Sequence, residues 1–442
     1  MNKGNISIND ILARLKISAL NEMQLSFLEA ASPHRDVILL SATGSGKTIA
    51  FLLSVLQQLD PATGQTQALI VTPSRELAQQ IEMVFKKMGA GFKVTSCYGG
   101  HLRETEENNL KEAPALIIGT PGRLSDHIRR GNISTTAIAT LVLDEFDKSV
   151  ELGFQDEMSF IISALPALQR RLLTSATDVM EVPAFVGLTD PVKLSFLDEG
   201  ESVPQRLEIK MVRSPEKDKL NTLFKLICFL GSRPTIVFCN HREAVERTSM
   251  LLKEKGIVNM FYHGAMEQRD RDAALSKFRN GSATLLVTTD LAARGLDIPH
   301  IRYIIHYHLP DTETSFIHRN GRTARMEASG TAILILSPEE AIPSYITGEI
   351  IPIQLPETDI LPEKPKWATL FIGAGKKDKV NKIDIVGFLS KKGELKKDDI
   401  GLVDVKDFFS FVAVRKTRAS HVLHLVKNEK IKNKKVKIEA AK

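Results

Sequence analysis

Cysteine is scarce: Cys97, Cys228 and Cys239 are odd in number, far apart and without a C-x-x-C pair. Such spacing supports neither a disulfide framework nor a zinc knuckle, so the three read as reduced, structural thiols. Long apolar runs are missing too. None approaches the roughly 18 residues that a membrane span needs, and the amino end, MNKGNISIND, lacks the apolar block of a signal peptide. A chain that stays in the cytosol and meets no membrane is expected. Tryptophan occurs once and tyrosine 5 times against 20 phenylalanines. A net positive charge, finally, is absent from the body of the chain. Residues 366–442 hold 20 Lys and Arg against 9 Asp and Glu, while the rest is net acidic although the whole carries +6. A basic end of this kind suits nucleic acid or another polyanion.

What is present is globular. Hydrophobic and charged fractions of 43% and 25% are ordinary, and 442 residues exceed a single core. Residues 36–48 read DVILLSATGSGKT. The apolar run 37–40 suits a buried strand, and the spacing of Ile49, Phe51, Leu52 and Leu56 suits a helix. The turn between them sits at a helix N-terminus, where Thr43, Gly44, Ser45 and Gly46 let backbone N–H groups approach an anion. Lys47 and Thr48 add a cation and a hydroxyl. The pattern is a phosphate-binding loop, with Ser41 where the usual pattern has its first glycine.

Further strand-like runs at 68–71, 115–118, 141–143 and 172–173 alternate with helical stretches such as 76–88. A second series follows at 235–238, 258–262, 284–287, 303–306 and 331–336, separated by helical stretches 243–255 and 269–278. Alternation of this kind predicts parallel sheets covered by helices. The expected organisation is a first α/β domain over 1–200, a second over 207–340, a linker at 341–365 and a compact module at 366–442. Two such domains with one phosphate loop suggest a nucleotide in a cleft whose closure is the working stroke.

Asp144 and Glu145 follow the apolar run 141–143. An acidic pair after a strand often only caps a helix. Downstream of a phosphate loop, however, the Asp suits Mg²⁺ and the Glu suits the base that activates water. Ser175-Ala176-Thr177 follows another strand. Arg319, Arg322 and Arg325 lie at i, i+3 and i+6, so a continuous helix would aim them to one side, as arginine fingers toward the γ-phosphate.

Together these motifs resemble the DEAD-box family of RNA helicases over residues 6–340. Besides SATGSGKT the chain shows Gln24, PSRELAQQ (73–80), Gly99-Gly100, TPGRL (120–124), DEFD (144–147), SAT, IVFCN (236–240), TTDLAARGLDIP (288–299) and HRNGRTAR (318–325). The resemblance implies two tandem RecA-like parallel-sheet domains and an RNA-stimulated ATPase that uses ATP and Mg²⁺. By the same resemblance Gln24 reads adenine, Lys47 and Thr48 hold phosphates and metal, and Asp144 holds the metal through water. Glu145 is the base, Asp297 meets the ribose, and Arg322 and Arg325 are the fingers. Ser175 and Thr177 couple hydrolysis to closure, and Arg75, Gly100, Thr120, Arg123, Thr289 and Arg294 line the RNA path. Departures from the family are Phe146 for Ala, which enlarges a side chain beside the catalytic pair, Leu20-Asn21 for Pro-Thr, and Ala324 for Gly.

The carboxyl-terminal module contains LFIG (370–373) and FFSFVAV (408–414). On strands, Phe409 and Phe411 share one face while Phe408, Val412 and Val414 share the other. Phe371 joins the first of these faces, which is thereby expected to stack bases. The module resembles an RNA recognition motif, an α+β fold, with Asp407 where a basic residue is usual. Lys376, Lys377 and Lys379 in GKKDK are expected to meet phosphate. NKID at 381–384 matches the guanine-reading pattern of GTPases but lies in the wrong module. A helicase core with this tail resembles the DbpA branch, which acts on large-subunit ribosomal RNA. Ribosomal RNA is then the expected partner of a monomer without an obligate protein partner. The alternative is an ATP-regulated RNA clamp or chaperone with little strand separation.

Overall fold

The computed structural model describes residues 7–31, 34–42, 44–100, 103–178, 181–197, 207–290, 301–321 and 330–441. In the amino-terminal unit, seven strands form one sheet: β1 (Val37–Ser41), β2 (Ala68–Val71), β3 (Val94–Cys97), β4 (Leu116–Gly119), β5 (Thr140–Leu143), β6 (Arg170–Ser175) and β7 (Val192–Phe196). Their order is β3-β4-β2-β5-β6-β1-β7, with every pair parallel. β2, β4 and β5 are buried throughout. Alternate side chains feed two apolar cores, Ile70, Ile118 and Val142 into one and Leu69, Ile117 and Leu141 into the other. Helices on both faces explain why these strands read as unbroken apolar runs.

Buried arginine ties this unit together. Arg170, 2% exposed, donates to Thr140 on the neighbouring strand, to the Ser54 hydroxyl and carbonyl, and to the Ala31 carbonyl. The helix Arg75–Met88 opens on Ser74, whose hydroxyl accepts from the Leu77 N–H, and closes at left-handed Gly89. Arg14 donates to the carbonyls of Met88 and Gly89 at that closing end.

The second unit contains β8 (Leu207–Arg213), β9 (Thr235–Phe238), β10 (Asn259–Tyr262), β11 (Leu285–Thr288), β12 (Tyr303–His306), β13 (Gly330–Leu336) and β14 (Ile350–Pro352). They form a second parallel sheet, ordered β10-β11-β9-β12-β13-β8-β14. β14 corrects the expectation of a plain linker at 341–365. Ile350 and Ile351 pair with Ile209 and Lys210, Ile346 is buried and the Tyr345 hydroxyl donates to the Pro310 carbonyl. A three-residue edge strand ending in proline has too little periodicity to announce itself.

Behind it comes an antiparallel sheet of order β16-β17-β15-β20, built from β15 (Trp367–Ile372), β16 (Ile400–Val405), β17 (Ser410–Arg415) and β20 (Ile438–Ala440). A short hairpin, β18 (Lys430–Ile431) and β19 (Lys434–Lys435), precedes the last strand. Leu370, Ile372, Val412 and Val414 share an apolar core with Ile385, Leu389, Val422 and Val426 of the helices Lys382–Lys391 and Lys416–Val426. The opposite sheet face carries Phe371, Phe409 and Phe411, as the alternation predicts, but only Phe409 stays half-exposed. Phe371 and Phe411 are 8% and 2% exposed and pack with Ala273, on the helix Gln268–Arg279 of the second parallel-sheet domain. The Arg269 guanidinium lies 4.4 Å above the Phe371 ring and pairs with Glu439. Around this apolar centre Ser276 donates to Asp404, Asn280 donates to Thr369, and Lys406 pairs with Asp272. The sheet face predicted to stack RNA is instead the seat on which the tail meets this helix.

His306 makes the second parallel sheet sensitive to acid. Fully buried, it stacks on Phe238 and Phe316 and shares a hydrogen bond with Asn320. Burial first, and the nearby Arg319 charge second, push its pKa from 6.5 down to about 3. The unfolded chain therefore takes up this proton below about 6.5 while the folded chain resists it, so stability present above that pH is lost as pH falls toward 3. The parent chain should lose stability relative to His306→Phe by up to about 1.4 kcal/mol per pH unit below pH 6. Urea unfolding of both between pH 7 and 5 checks this, and parallel curves would contradict it.

Candidate nucleotide and nucleic-acid site

Because all strands of the first sheet run one way, their carboxyl ends lie along one edge, and the predicted residues sit there. β1 leads into the phosphate loop. Gly44 and Gly46 adopt φ of 89° and 96°, and the helix Lys47–Gln58 begins directly after them, so its N-terminal end faces the loop. Gly46 is favoured by its backbone angle, and a Cβ there would lie 2.4 Å from the Gln24 amide nitrogen and displace that side chain from the loop. The Lys47 ammonium donates to the carbonyls of Ser41 and Ala42, folded over the loop where an anion would sit. Thr48 is the next residue of the helix. Thr43 lies outside the described residues.

Gln24 is 5% exposed. Its amide oxygen accepts from the Asn21 N–H and its amide nitrogen donates to the Gly46 carbonyl. Asn21 caps the helix Glu22–Ala30 by accepting from the Gln24 N–H, and its own amide donates to the Ser45 carbonyl. The Asn found where the family has Thr thus keeps the cap. Both residues grip the phosphate loop by its backbone.

β5 and β6, between β2 and β1, deliver the acidic pair and its support. Asp144 is 3% exposed and accepts from the Thr174 hydroxyl. Burial raises its pKa, opposed by that hydrogen bond and by the charge of Lys47. Glu145 stands in the left-handed region at φ 48°, a conformation that costs a non-glycine residue on the order of 1 kcal/mol and is retained at functional sites. Its N–H donates to Thr174. Thr174, adjacent to the SAT triplet, therefore supports both acids, a role its identity alone did not disclose. Phe146 turns away from the pair into the core, 1% exposed beside Leu143, Met158 and Ile161, so its extra bulk does not enlarge the site. Ser175 accepts from the Thr177 N–H, and the Thr177 hydroxyl donates to Asp147, joining the SAT and DEFD segments directly.

The other side of the sheet, β3, β4 and β2, carries the predicted RNA residues. Arg75 opens its helix with its guanidinium close to Gly99. Gly100 takes φ 98°, and Thr120 caps the helix Pro121–Arg129. Arg123 pairs with Glu106 at 3.2 Å. Glu106 lies in RETEENNL, an acid-rich segment that reads as a solvated helix face, yet it is 1% exposed. It accepts from the Tyr98 N–H at 2.7 Å and meets His127 Nε2 at 2.7 Å. The Asn132 amide donates to His127 Nδ1, leaving Nε2 as the protonated nitrogen that donates to Glu106. Cys97 borders the group, its thiol pushed far up by burial. Glu106 and His127 form a buried brace for Arg123.

In the second sheet Thr289 follows β11. Arg319 does not face outward as part of a helical row. The helix carrying it spans Glu313–Asn320 with Gly321 as its cap. Its guanidinium is buried against Asp290, the Asn240 side chain and the His308 carbonyl, tying together the ends of β9, β11 and β12. Arg294, Asp297, Arg322 and Arg325 lie outside the described residues. In the tail, Lys376, Lys377 and Lys379 are all exposed along the loop. Lys432 of the β18–β19 turn donates to the Lys379 carbonyl and pairs with Asp384, while Lys434 pairs with Asp378. The hairpin thereby offsets the acids beside the predicted loop.

Residues 21–182 match the DEAD/DEAH box helicase model, 218–327 the helicase conserved C-terminal domain and 369–440 the DbpA RNA binding domain. The chain belongs to the DEAD-box family of ATP-dependent RNA helicases. It is of the DbpA type: it is 34% identical to the ATP-dependent RNA helicase DbpA of Escherichia coli, over 98% of both chains, and 30% identical to that of Bacillus subtilis, again over 98% of both. Among solved structures, S. cerevisiae Dbp5 bound to RNA and ADP BeF3 superposes with a TM-score of 0.69 at 25% identity, covering 79% of this chain and 94% of that one. Among the described residues no helix is long and apolar enough to cross a membrane.

The brace yields a test. Glu106→Gln puts an amide donor among three donors and removes the charge that holds Arg123, a loss of about 1.5–3 kcal/mol for a charge-assisted bond. The RNA concentration for half-maximal ATPase should rise about tenfold while turnover at saturating RNA changes little. Steady-state ATPase titrated with RNA separates the two quantities, and an unchanged half-maximal concentration would contradict the role given to the brace.

Proposed function

We propose that this helicase uses ATP and Mg²⁺ to open short RNA duplexes beside a structured ribosomal RNA of the large subunit, which its carboxyl-terminal domain grips. The observation that carries the reading is the order of the first sheet. β5-β6-β1 bring the phosphate loop, Asp144 and the SAT segment together at one side, and β3-β4-β2 gather Arg75, Gly100, Thr120 and Arg123 at the other. Nucleotide and RNA then occupy adjoining halves of one edge. Asp147 lies two positions beyond Glu145 and accepts from Thr177, which gives a short route from hydrolysis to the coupling segment.

The donor set fits a magnesium nucleotide. Asp144 is a buried carboxylate whose pKa is raised by burial, so it gains from a nearby cation, and the Thr48 hydroxyl offers a second oxygen. When bound, Mg²⁺ would offset the charge that develops on the transferred phosphoryl oxygens. Lys47 would exchange the Ser41 and Ala42 carbonyls for phosphate oxygens. Glu145 would orient the attacking water and take its proton, with Arg322 and Arg325 as fingers and Asp297 at the ribose. Gln24, placed against the loop, would read adenine. Arg294 and Thr289 would extend the RNA path. The target RNA follows from the tail's resemblance to the DbpA branch and from the lysines at its surface.

Glu145→Gln should leave ATP binding close to the parent and lower turnover by about 10²-fold or more, the worth of a positioned base, whereas Lys47→Ala should weaken binding itself. Nucleotide-binding titrations beside RNA-stimulated ATPase distinguish the two, and parent-like turnover of the Glu145 variant would remove it as the base. Strand separation tests the function. The parent should open an RNA duplex appended to a large-subunit ribosomal RNA fragment in the presence of ATP, and leave the matched DNA duplex closed. RNA binding that responds to ATP without strand separation would point instead to a clamp.

A further inference from the structure

Phe371 and Phe411 of the tail's sheet face are buried against the helix Gln268–Arg279 with Phe409 half-buried beside them, yet a fourth phenylalanine is more exposed. Phe408 is 55% exposed, at the tip of the β16–β17 turn, which is closed by the Lys406 N–H donating to the Phe409 carbonyl at 2.9 Å. It does not lie on the helix-covered face with Val412 and Val414, because the strand begins only at Ser410. The lysine loop is bonded to the same tip. The N–H of Lys376 donates to the Lys406 carbonyl at 2.9 Å and that of Lys377 to the Asp407 carbonyl at 2.8 Å. Gly375 makes the approach possible, since a Cβ there would lie 2.3 Å from the Lys406 carbonyl oxygen. Two backbone hydrogen bonds thus hold exposed Phe408 and the exposed residues Lys376 and Lys377 on adjoining turns. An apolar ring beside lysines is poorly suited to an apolar protein partner, whereas a nucleotide offers a π-face and a phosphate together.

We propose that Phe408 is the ring on which the tail stacks one unpaired base of a structured RNA, with Lys376 and Lys377 taking the adjoining phosphates. This rests on the reading of the tail as the RNA grip and moves the stacking site from the sheet face to the turn. Stacking accepts any base, so the site recognises an unpaired nucleotide rather than a particular one.

The experiment measures binding of the full chain to a hairpin-loop fragment of large-subunit ribosomal RNA across a salt series, beside a fully paired duplex without the loop. Phe408→Ala should weaken hairpin binding by about 5- to 150-fold at every salt concentration. The log–log salt slope should be unchanged, and duplex binding should stay near the parent value. Phe408→Trp should restore hairpin affinity and Phe408→Leu should not. Lys376→Ala with Lys377→Ala should instead flatten the slope by about 0.7 for every single-strand phosphate that is no longer neutralised. If the lysine variants lose affinity while Phe408→Ala or Phe408→Leu binds as the parent does, the stacking role is overturned and the tail remains the RNA grip. If none of these variants alters binding, the reading of the tail fails and the stacking site fails with it.

Discussion

A parallel strand pair cannot be closed by a tight turn; the chain has to cross back over the sheet before the next strand starts. Within each large sheet every strand pair is parallel, and the returning crossovers leave all carboxyl-terminal loops on one edge of that sheet. That constraint collects residues far apart in sequence, such as Lys47, Arg75, Arg123, Asp144 and Thr177, without requiring any long-range motif. It also sorts them, because strand order differs from sequence order: β1 lies next to β6, and β2 lies between β4 and β5. The residues predicted for phosphate and those predicted for RNA become neighbours through topology, the arrangement general to open α/β sheets.

Holding those loops in place falls to buried charge. Arg319 spans Asp290, Asn240 and His308. Glu106 collects Tyr98, His127 and Arg123. Arg170 does the same at the opposite edge, where β5 and β6 begin, by spanning Thr140, Ser54 and Ala31. Each such group loses hydration on folding and regains it only as directed hydrogen bonds, so a misplaced loop leaves a charge unsatisfied. The penalty is steep, and loops held this way are fixed more tightly than apolar packing alone would fix them. Glu145 in its left-handed conformation is the complement: a strained residue kept in place by the helix it caps and by Thr174.

Much of this was legible in the sequence where residue type and spacing carry the chemistry. The runs 68–71, 235–238 and 303–306 are strands at those residues, and Gly44, Gly46, Asp144 and Thr177 stand where the motifs put them. Strands with half-exposed patterns, Val192–Phe196 and Leu207–Arg213 among them, have no unbroken apolar run to mark them. Partnership was hidden as well. Glu106 looks like one acid among several, Arg319 looks like the first of three fingers, and Phe146 looks like a neighbour of the catalytic pair, because burial depends on what folds over a residue. Alternation correctly divided Phe371 and Phe411 from Val412 and Val414. It could not say that an amphipathic helix about a hundred residues earlier would cover the aromatic side.

That covering helix limits how the tail can be exchanged. Modular thinking treats an RNA-binding domain at the end of a helicase as cargo on a string, replaceable by cutting within the linker. Here Arg269, Asp272, Ala273, Ser276 and Asn280 are shaped to Glu439, Lys406, Phe371, Asp404 and Thr369. A chimera carrying a foreign tail would leave that helix face bare and the new domain tethered only by chain. Transplanting this RNA-binding domain onto another core therefore means moving a helix surface along with it, since each half covers part of the other.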